Sequence, residues 1–147
     1  MFAQAEENID VLAYSGLFIA EDSEAMRILM AKVTGGVRVR VLLGDPDSEN
    51  IIRHGADESR DVSAEIRKAL TLYHSLDGLG SVEIRLHRIT LYASIFRGDG
   101  DLFVNPHVHG EVPARSPVIH LGHNGGTGDV TRVYLKGFES IWVGSRW

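Results

Sequence analysis

Two short runs of apolar, β-branched and aromatic residues, LYASIF and LFVNPH, flank the segment Arg97-Gly98-Asp99-Gly100-Asp101. Asp-Gly between such runs leaves the chain few options, because a tight hairpin turn needs a positive φ that glycine accepts without steric cost. A third run of the same character, VEIRLH, stands just before them. Residues 82–107 therefore predict three strands, at 82–87, 91–96 and 102–107, the last two forming a hairpin. The hairpin runs on into Asn105-Pro106-His107-Val108-His109-Gly110, a polar and imidazole-rich stretch that is a plausible site.

The rest of the chain can be placed around that hairpin. Residues 1–8 predict the end of a helix, with Phe2 and Ala5 on one side and Glu6 and Glu7 on the other, and the missing lead-in suggests a longer parent architecture. IDVLAYSGLFI, residues 9–19, is nearly continuous apolar, as expected of a strand buried on both faces. Ser23 offers an N-cap to a helix over 24–32, with Met26, Leu29, Met30 and Val33 at helical spacing, and Gly35-Gly36 ends it. VRVRVLL, 37–43, predicts a second strand whose alternating arginines imply one wet face along its first half. Residues 44–48 read as a loop, and 49–55 are ambiguous. Asp61 or Ser63 caps a helix to about residue 76, with a stripe of Ile66, Ala69, Leu70 and Tyr73. PVIHL, 117–121, is a short strand candidate, and a glycine-rich loop over 122–128 leads to a last helix capped by Asp129 or Thr131. Val133, Leu135, Phe138, Ile141 and Trp142 form its inner side. Strand–helix alternation followed by a hairpin implies an α/β sandwich: a mixed central sheet flanked by helices, in one domain over 1–147.

Composition narrows the function classes. A net charge of -5 is a poor footprint for nucleic acid, which needs a basic face to displace counterions. Cysteine is absent, so disulfides, thiolate metal sites and thiol nucleophiles are excluded. No apolar run approaches the ~18–20 residues of a membrane span. The acidic N-terminus lacks a basic signal region, so the cytoplasm is the expected compartment.

Several groups carry candidate chemistry. His107 and His109 are two apart, project to one face, and could be two metal ligands, with His87, His120, His123 or Asp45 as a third. The bland alternative gives one imidazole to nearby backbone and the other to solvent; a closed zinc site needs four ligands, so no metal or cofactor is expected. Alternation puts Tyr92, Ser94 and Phe96 on one face of the hairpin, and with Asp99, Asn105 and His107 these polar residues are the pocket candidates. They fit a solvated hairpin face equally, and Asp99 also suits a simple turn former. Tyr14-Ser15 and Asp45 fall at the carboxyl ends of the first two strands, where α/β sheets keep their ligands, though Asp45 also suits an Asx turn before Pro46.

The run Gly36-Val37-Arg38-Val39-Arg40-Val41-Leu42-Leu43-Gly44-Asp45 resembles the helix-to-strand passage of the phospholipase D-like fold. Members of that fold carry on a later hairpin the signature His, any residue, Lys, four residues, Asp, then six residues to Gly-Ser. With the Asp set on Asp99, Tyr92 takes the His position, Ser94 the Lys position, and Pro106-His107 the Gly-Ser pair. The nucleophilic His and the phosphate-binding Lys are thus both replaced. A tyrosine phenol is a weak nucleophile near its ordinary pKa of ~10 without an activating base. The segments IDVLAYSGLFI, VRVRVLLGDPDS, EIRLHRITLYASIFRGD, LFVNPHVHG, PVIHL and FESIW are similar to an uncharacterised phospholipase D-like domain found C-terminal to an Xre-type helix-turn-helix in bacterial regulators.

The resemblance implies a non-catalytic ligand-sensing or dimerisation domain of a transcription regulator. Its ligand would be an unidentified small molecule, phosphorylated compounds included, bound by Tyr92, Ser94, Asn105, His107, Tyr14 and Asp45. DNA would be reached only through a helix-turn-helix domain outside this chain, and a homodimer is expected because phospholipase D-like sites are assembled from two domain copies. The alternative is a phosphodiesterase or nuclease working through His107 and His109 with Asp99 as orienting group.

Overall fold

A computed structural model describes residues 2–108, 117–122 and 128–146. Six strands form one mixed sheet in the order β3-β2-β1-β4-β5-β6. They are β1 Asn8–Leu12, β2 Arg38–Gly44, β3 Val82–His87, β4 Ala93–Gly98, β5 Asp101–Pro106 and β6 Ile119–Leu121. β1, β2 and β3 run parallel, and β4 pairs antiparallel with β1 and then β5, β5 with β6. Among the described residues there are five α-helices: α1 Leu17–Ala20, α2 Ser23–Thr34, α3 Glu49–Asp57, α4 Val62–Tyr73 and α5 Gly128–Val143. The expected architecture, a mixed sheet flanked by helices, is therefore observed. No helix among the described residues is long and apolar enough to cross a membrane.

Alternation along the strands divides the core in two. Ile9, Val11, Val39, Val41 and Phe96 pack with Leu29, Val33, Ala69 and Tyr73 of α2 and α4. Leu12, Leu42, Ile95, Leu102 and Val104 form a second cluster with Phe138 and Trp142 of α5. The hairpin is tight: Gly98 pairs with Asp101, so Asp99 and Gly100 alone make the turn, and Asp99 takes the left-handed φ of 53°.

The boundaries depart from expectation where a tertiary contact outweighs the local pattern. The apolar run 9–19 is a strand only to Leu12. It then turns at Gly16, whose φ is +58° and where a Cβ would lie 2.9 Å from the Tyr73 hydroxyl, and enters α1. Residues 1–8 hold a 3-10 turn, Phe2–Gln4, rather than a helix end. The N-cap of α2 is Asp22, whose carboxylate accepts from the amides of Glu24 and Ala25, and not Ser23. The ambiguous stretch 49–55 is helical, and Asp61 caps α4 as predicted. On α5, Phe138 and Trp142 are inward as expected, but Val133 is exposed.

The VRVRVLL strand shows the largest departure. Arg38 is exposed, but Arg40 is 3% exposed. Its guanidinium donates to Asp10 at 2.7 and 3.0 Å and to Glu139 of α5 at 2.6 and 3.1 Å, with the Phe138 and Trp142 rings 4.7 and 5.2 Å away. Arg97 closes the cluster on Asp10 at 3.1 Å. Burial works against the Arg40 charge, but the two carboxylates more than offset it and hold the group above its ordinary value. The face predicted wet is a charged layer roofed by α5.

Candidate functional site

At the carboxyl ends of β1 and β2, the chain gathers aromatic and imidazole rings that are far apart in sequence. Tyr14 follows β1 and is buried. Its hydroxyl accepts from the Leu91 amide at 2.7 Å, and burial pushes the phenol above its ordinary pKa against the opposing effect of the Leu91 backbone bond. His54 of α3 stacks on one side of the Tyr14 ring, with centroids 4.0 Å apart, and His107 stacks at 5.5 Å. His54 also contacts the Glu58 carboxylate one turn further on. His87, at the end of β3, lies 6.1 Å from Tyr14, ring to ring.

Hydrogen bonds fix the tautomers of two of these histidines. His107 Nδ1 lies 3.1 Å from the Leu91 carbonyl, which can only accept, so Nδ1 carries the proton. Nε2 is then the acceptor for the Ser94 hydroxyl 3.0 Å away. Desolvation lowers the His107 pKa, and the neighbouring His54 acts in the same direction, while Leu91 and Glu58 oppose it. His87 Nε2 donates to the Ala13 carbonyl at 3.2 Å and its Nδ1 accepts from the Ile89 amide at 3.4 Å. Burial drives His87 down to about 4, against the Ala13 bond and the Asp45 charge. Both rings are neutral at pH 7, which suits their apolar surroundings.

Above this layer opens a cleft of about 370 Å³ lined by Tyr14, Ser15, Phe18, Glu21, Arg60 and Ser94, with Glu65 at its side. Ser94, 5% exposed, lines the cleft, and its Oγ is bonded to His107. The Phe18 ring is 68% exposed and meets buried Phe96 edge-on at 5.5 Å. Arg60 enters from the α3–α4 turn, where Ser59 has a left-handed φ of 55° and a Cβ on Gly55 would meet the Arg60 carbonyl at 2.7 Å. Its guanidinium pairs with Glu65 at 2.8 Å and Glu58 at 2.8 Å.

Of the residues predicted from sequence, Tyr14, Ser94 and His107 come together. Tyr92 does not join them: it precedes β4, and its side chain is 84% exposed and turned to solvent. Asn105 stands opposite Ser94 in the ladder, and its amide donates to the Pro117 carbonyl at 3.1 Å, tying β5 to the approach of β6. Asp45 makes the Asx turn, accepting from the Asp47 amide at 2.9 Å, and also binds Arg88 and Arg146 at 2.8 and 3.0 Å. Desolvation raises its pKa, but these bonds together bring it below the ordinary value.

Asp99 cannot serve as an orienting group for His107. Six residue steps from Asp101, beside the turn, to His107 put Asp99 and His107 at opposite ends of the hairpin, roughly 20 Å apart at ~3.4 Å per residue. Asp99 instead accepts from the amides of Glu6, Glu7 and Asn8 at 2.7–2.9 Å, and these bonds outweigh desolvation to lower its pKa. His109 and His123 lie outside the described residues. His87 is occupied with backbone, and His120 pairs with Asp101 at 3.0 Å at the turn end of the sheet. Among the described residues no group of three His, Cys, Asp or Glu side chains could hold a metal.

His54, Phe18, Arg60 and Glu65 are the site residues that sequence reasoning missed. His54 lies in the ambiguous stretch, where its spacing to Glu58 is a helical i, i+4 signal. Phe18 was hidden by reading 9–19 as one strand.

No family model matches the chain, and no curated protein matches it. A solved structure, described as that of TrmBL2, an archaeal chromatin protein with a novel mode of DNA binding, is similar over 99% of this chain at 17% identity and a TM-score of 0.59. The present chain spans 46% of that one. At this identity the likeness extends to the fold: a mixed α/β sheet flanked by helices in the same overall arrangement.

Proposed function

We propose that this domain is a non-catalytic ligand sensor of a bacterial transcription regulator, with a phospholipase D-like fold, acting as a homodimer. One observation carries the reading. Ser94, at the position of the phosphate-binding Lys in the phospholipase D-like signature, opens into a cleft, while Tyr92, at the position of the nucleophilic His, faces away from it. The location of a site is kept and the hydrolytic groups are not. A ligand in the cleft touches Ser94 and Tyr14, both coupled to His107 and so to the end of β5, and biases the arrangement of the two protomers. DNA is contacted by a helix-turn-helix domain elsewhere in the regulator, in the cytoplasm; the net charge of -5 supports giving that role to another domain.

Size-exclusion chromatography with light scattering, beside thermal-shift screening of a small-molecule library, tests this. Ligand binding to the native state raises the unfolding midpoint by mass action. The expected result is a dimer and at least one compound whose shift disappears in Phe18→Ala. A monomer at high concentration with no responding compound would sink the proposal.

A further inference from the structure

Both cations at or beside the cleft are already paired with carboxylates. Arg60 commits Nε and both terminal nitrogens to Glu58 and Glu65. The Lys68 ammonium beside the rim is paired with Glu21 at 2.7 Å. The Ser94 proton goes to His107. Ser15 Oγ accepts from the Leu17 amide at 3.3 Å. The carboxylate oxygens of Glu21 and Glu65 retain further acceptor capacity at the cleft. Among the residues that line the cleft, Glu21 and Glu65 stand against Arg60, a balance of one negative charge. The accessible apolar surface includes the exposed Phe18 ring, held in place by its edge-on contact with Phe96.

Resting on the reading of this cleft as the ligand site, we infer that its ligand is a small organic ammonium, not a phosphorylated compound. A phosphate group would meet carboxylates, and would have to compete with Glu58 and Glu65 for Arg60 and with Glu21 for Lys68. An ammonium supplies several donors to the Glu21 and Glu65 oxygens and gains attraction from the face of Phe18. A neutral alcohol of the same shape satisfies fewer acceptors and gains nothing from the ring quadrupole.

Phenethylamine, 2-phenylethanol and inorganic phosphate, titrated into the full chain at pH 7 and followed by amide chemical shifts, separate these cases. The expected result is saturable shifts at Phe18 and Ser94 with the amine, at least about tenfold weaker binding of the alcohol, and none of phosphate. Glu21→Gln, at an exposed rim position, lowers amine affinity by up to about fivefold, the range of an exposed ion pair, without altering the unfolding midpoint of the free protein. Phe18→Ala abolishes the shifts at Ser94. Equal binding of amine and alcohol, or phosphate binding at these residues, would overturn the ammonium assignment while leaving the cleft a ligand site. Absence of any perturbation by the amine overturns the assignment as well, and a library compound then found to bind elsewhere would overturn the cleft reading separately.

Discussion

Two polar regions of this domain solve opposite problems. Beneath α5, Asp10, Arg40, Arg97 and Glu139 are charged and paired to one another at 2.6–3.1 Å. At the carboxyl ends of the parallel strands, Tyr14, His87, Ser94 and His107 are neutral and bonded mostly to backbone or to each other. Buried charges need near-complete pairing and leave nothing for a ligand. Neutral polar groups tolerate a cleft beside them, because exposing one face costs little. The first region fixes the position of α5 and the second is where a ligand can be received.

The largest effect should come from breaking the charged layer. Arg40→Ala leaves Asp10 buried without its main partner and removes the ring contacts to Phe138 and Trp142, costing about 3–5 kcal/mol in chemical denaturation. A loss under ~1 kcal/mol would show that water or Arg97 replaces the pairing and that the layer is not the fixed element. Acid should act mainly on the neutral cluster. His87 has a native pKa of about 4 against an ordinary value of 6.5, so between those values only the unfolded chain binds its proton. Stability is then full above pH 6.5 and falls towards pH 4 by roughly 3 kcal/mol. His107 adds in the same direction. In His87→Gln the slope through this window should shrink; an unchanged slope would assign the acid sensitivity elsewhere.

Asp99 offers a smaller, divisible effect. Asp99→Gly keeps the left-handed turn but loses the three amide bonds to residues 6–8, costing about 1–2 kcal/mol. Asp99→Ala adds backbone strain of ~1 kcal/mol. Equal losses in the two variants would show that the turn conformation relaxes. Because the native carboxyl titrates below its ordinary range, this contribution is present above about pH 4 and is lost as pH falls through the native value. The smallest change is expected from Ser94→Ala, about 1 kcal/mol, since it leaves His107 Nε2 without its donor. Nitrogen-15 chemical shifts should still report protonation at Nδ1, because the Leu91 carbonyl and not Ser94 sets that tautomer. A switch to Nε2–H in the variant would overturn this assignment.

The sequence by itself determined the layers and the hairpin. Alternating periodicity placed β3, β4, β5 and β6 within two residues of their observed bounds, and Asp-Gly set the turn, because both are local consequences of backbone sterics. Asp61 was legible as a cap for the same reason. It also brought Ser94 and His107 forward, since their positions follow from the register of one hairpin. What it could not supply were facts that depend on a partner distant in the chain. Arg40 reads as solvated until Asp10 and Glu139 are brought to it from 30 and 99 residues away. Tyr92 reads as inward by alternation, yet it stands before β4 begins, and His107 N–H bonds its carbonyl at 2.8 Å while the phenol points to solvent. His54, Phe18 and Arg60 join the site only when α1 and the α3–α4 turn close over the sheet end. Burial and pairing of polar groups are properties of the assembled fold, and only the tertiary structure decided them.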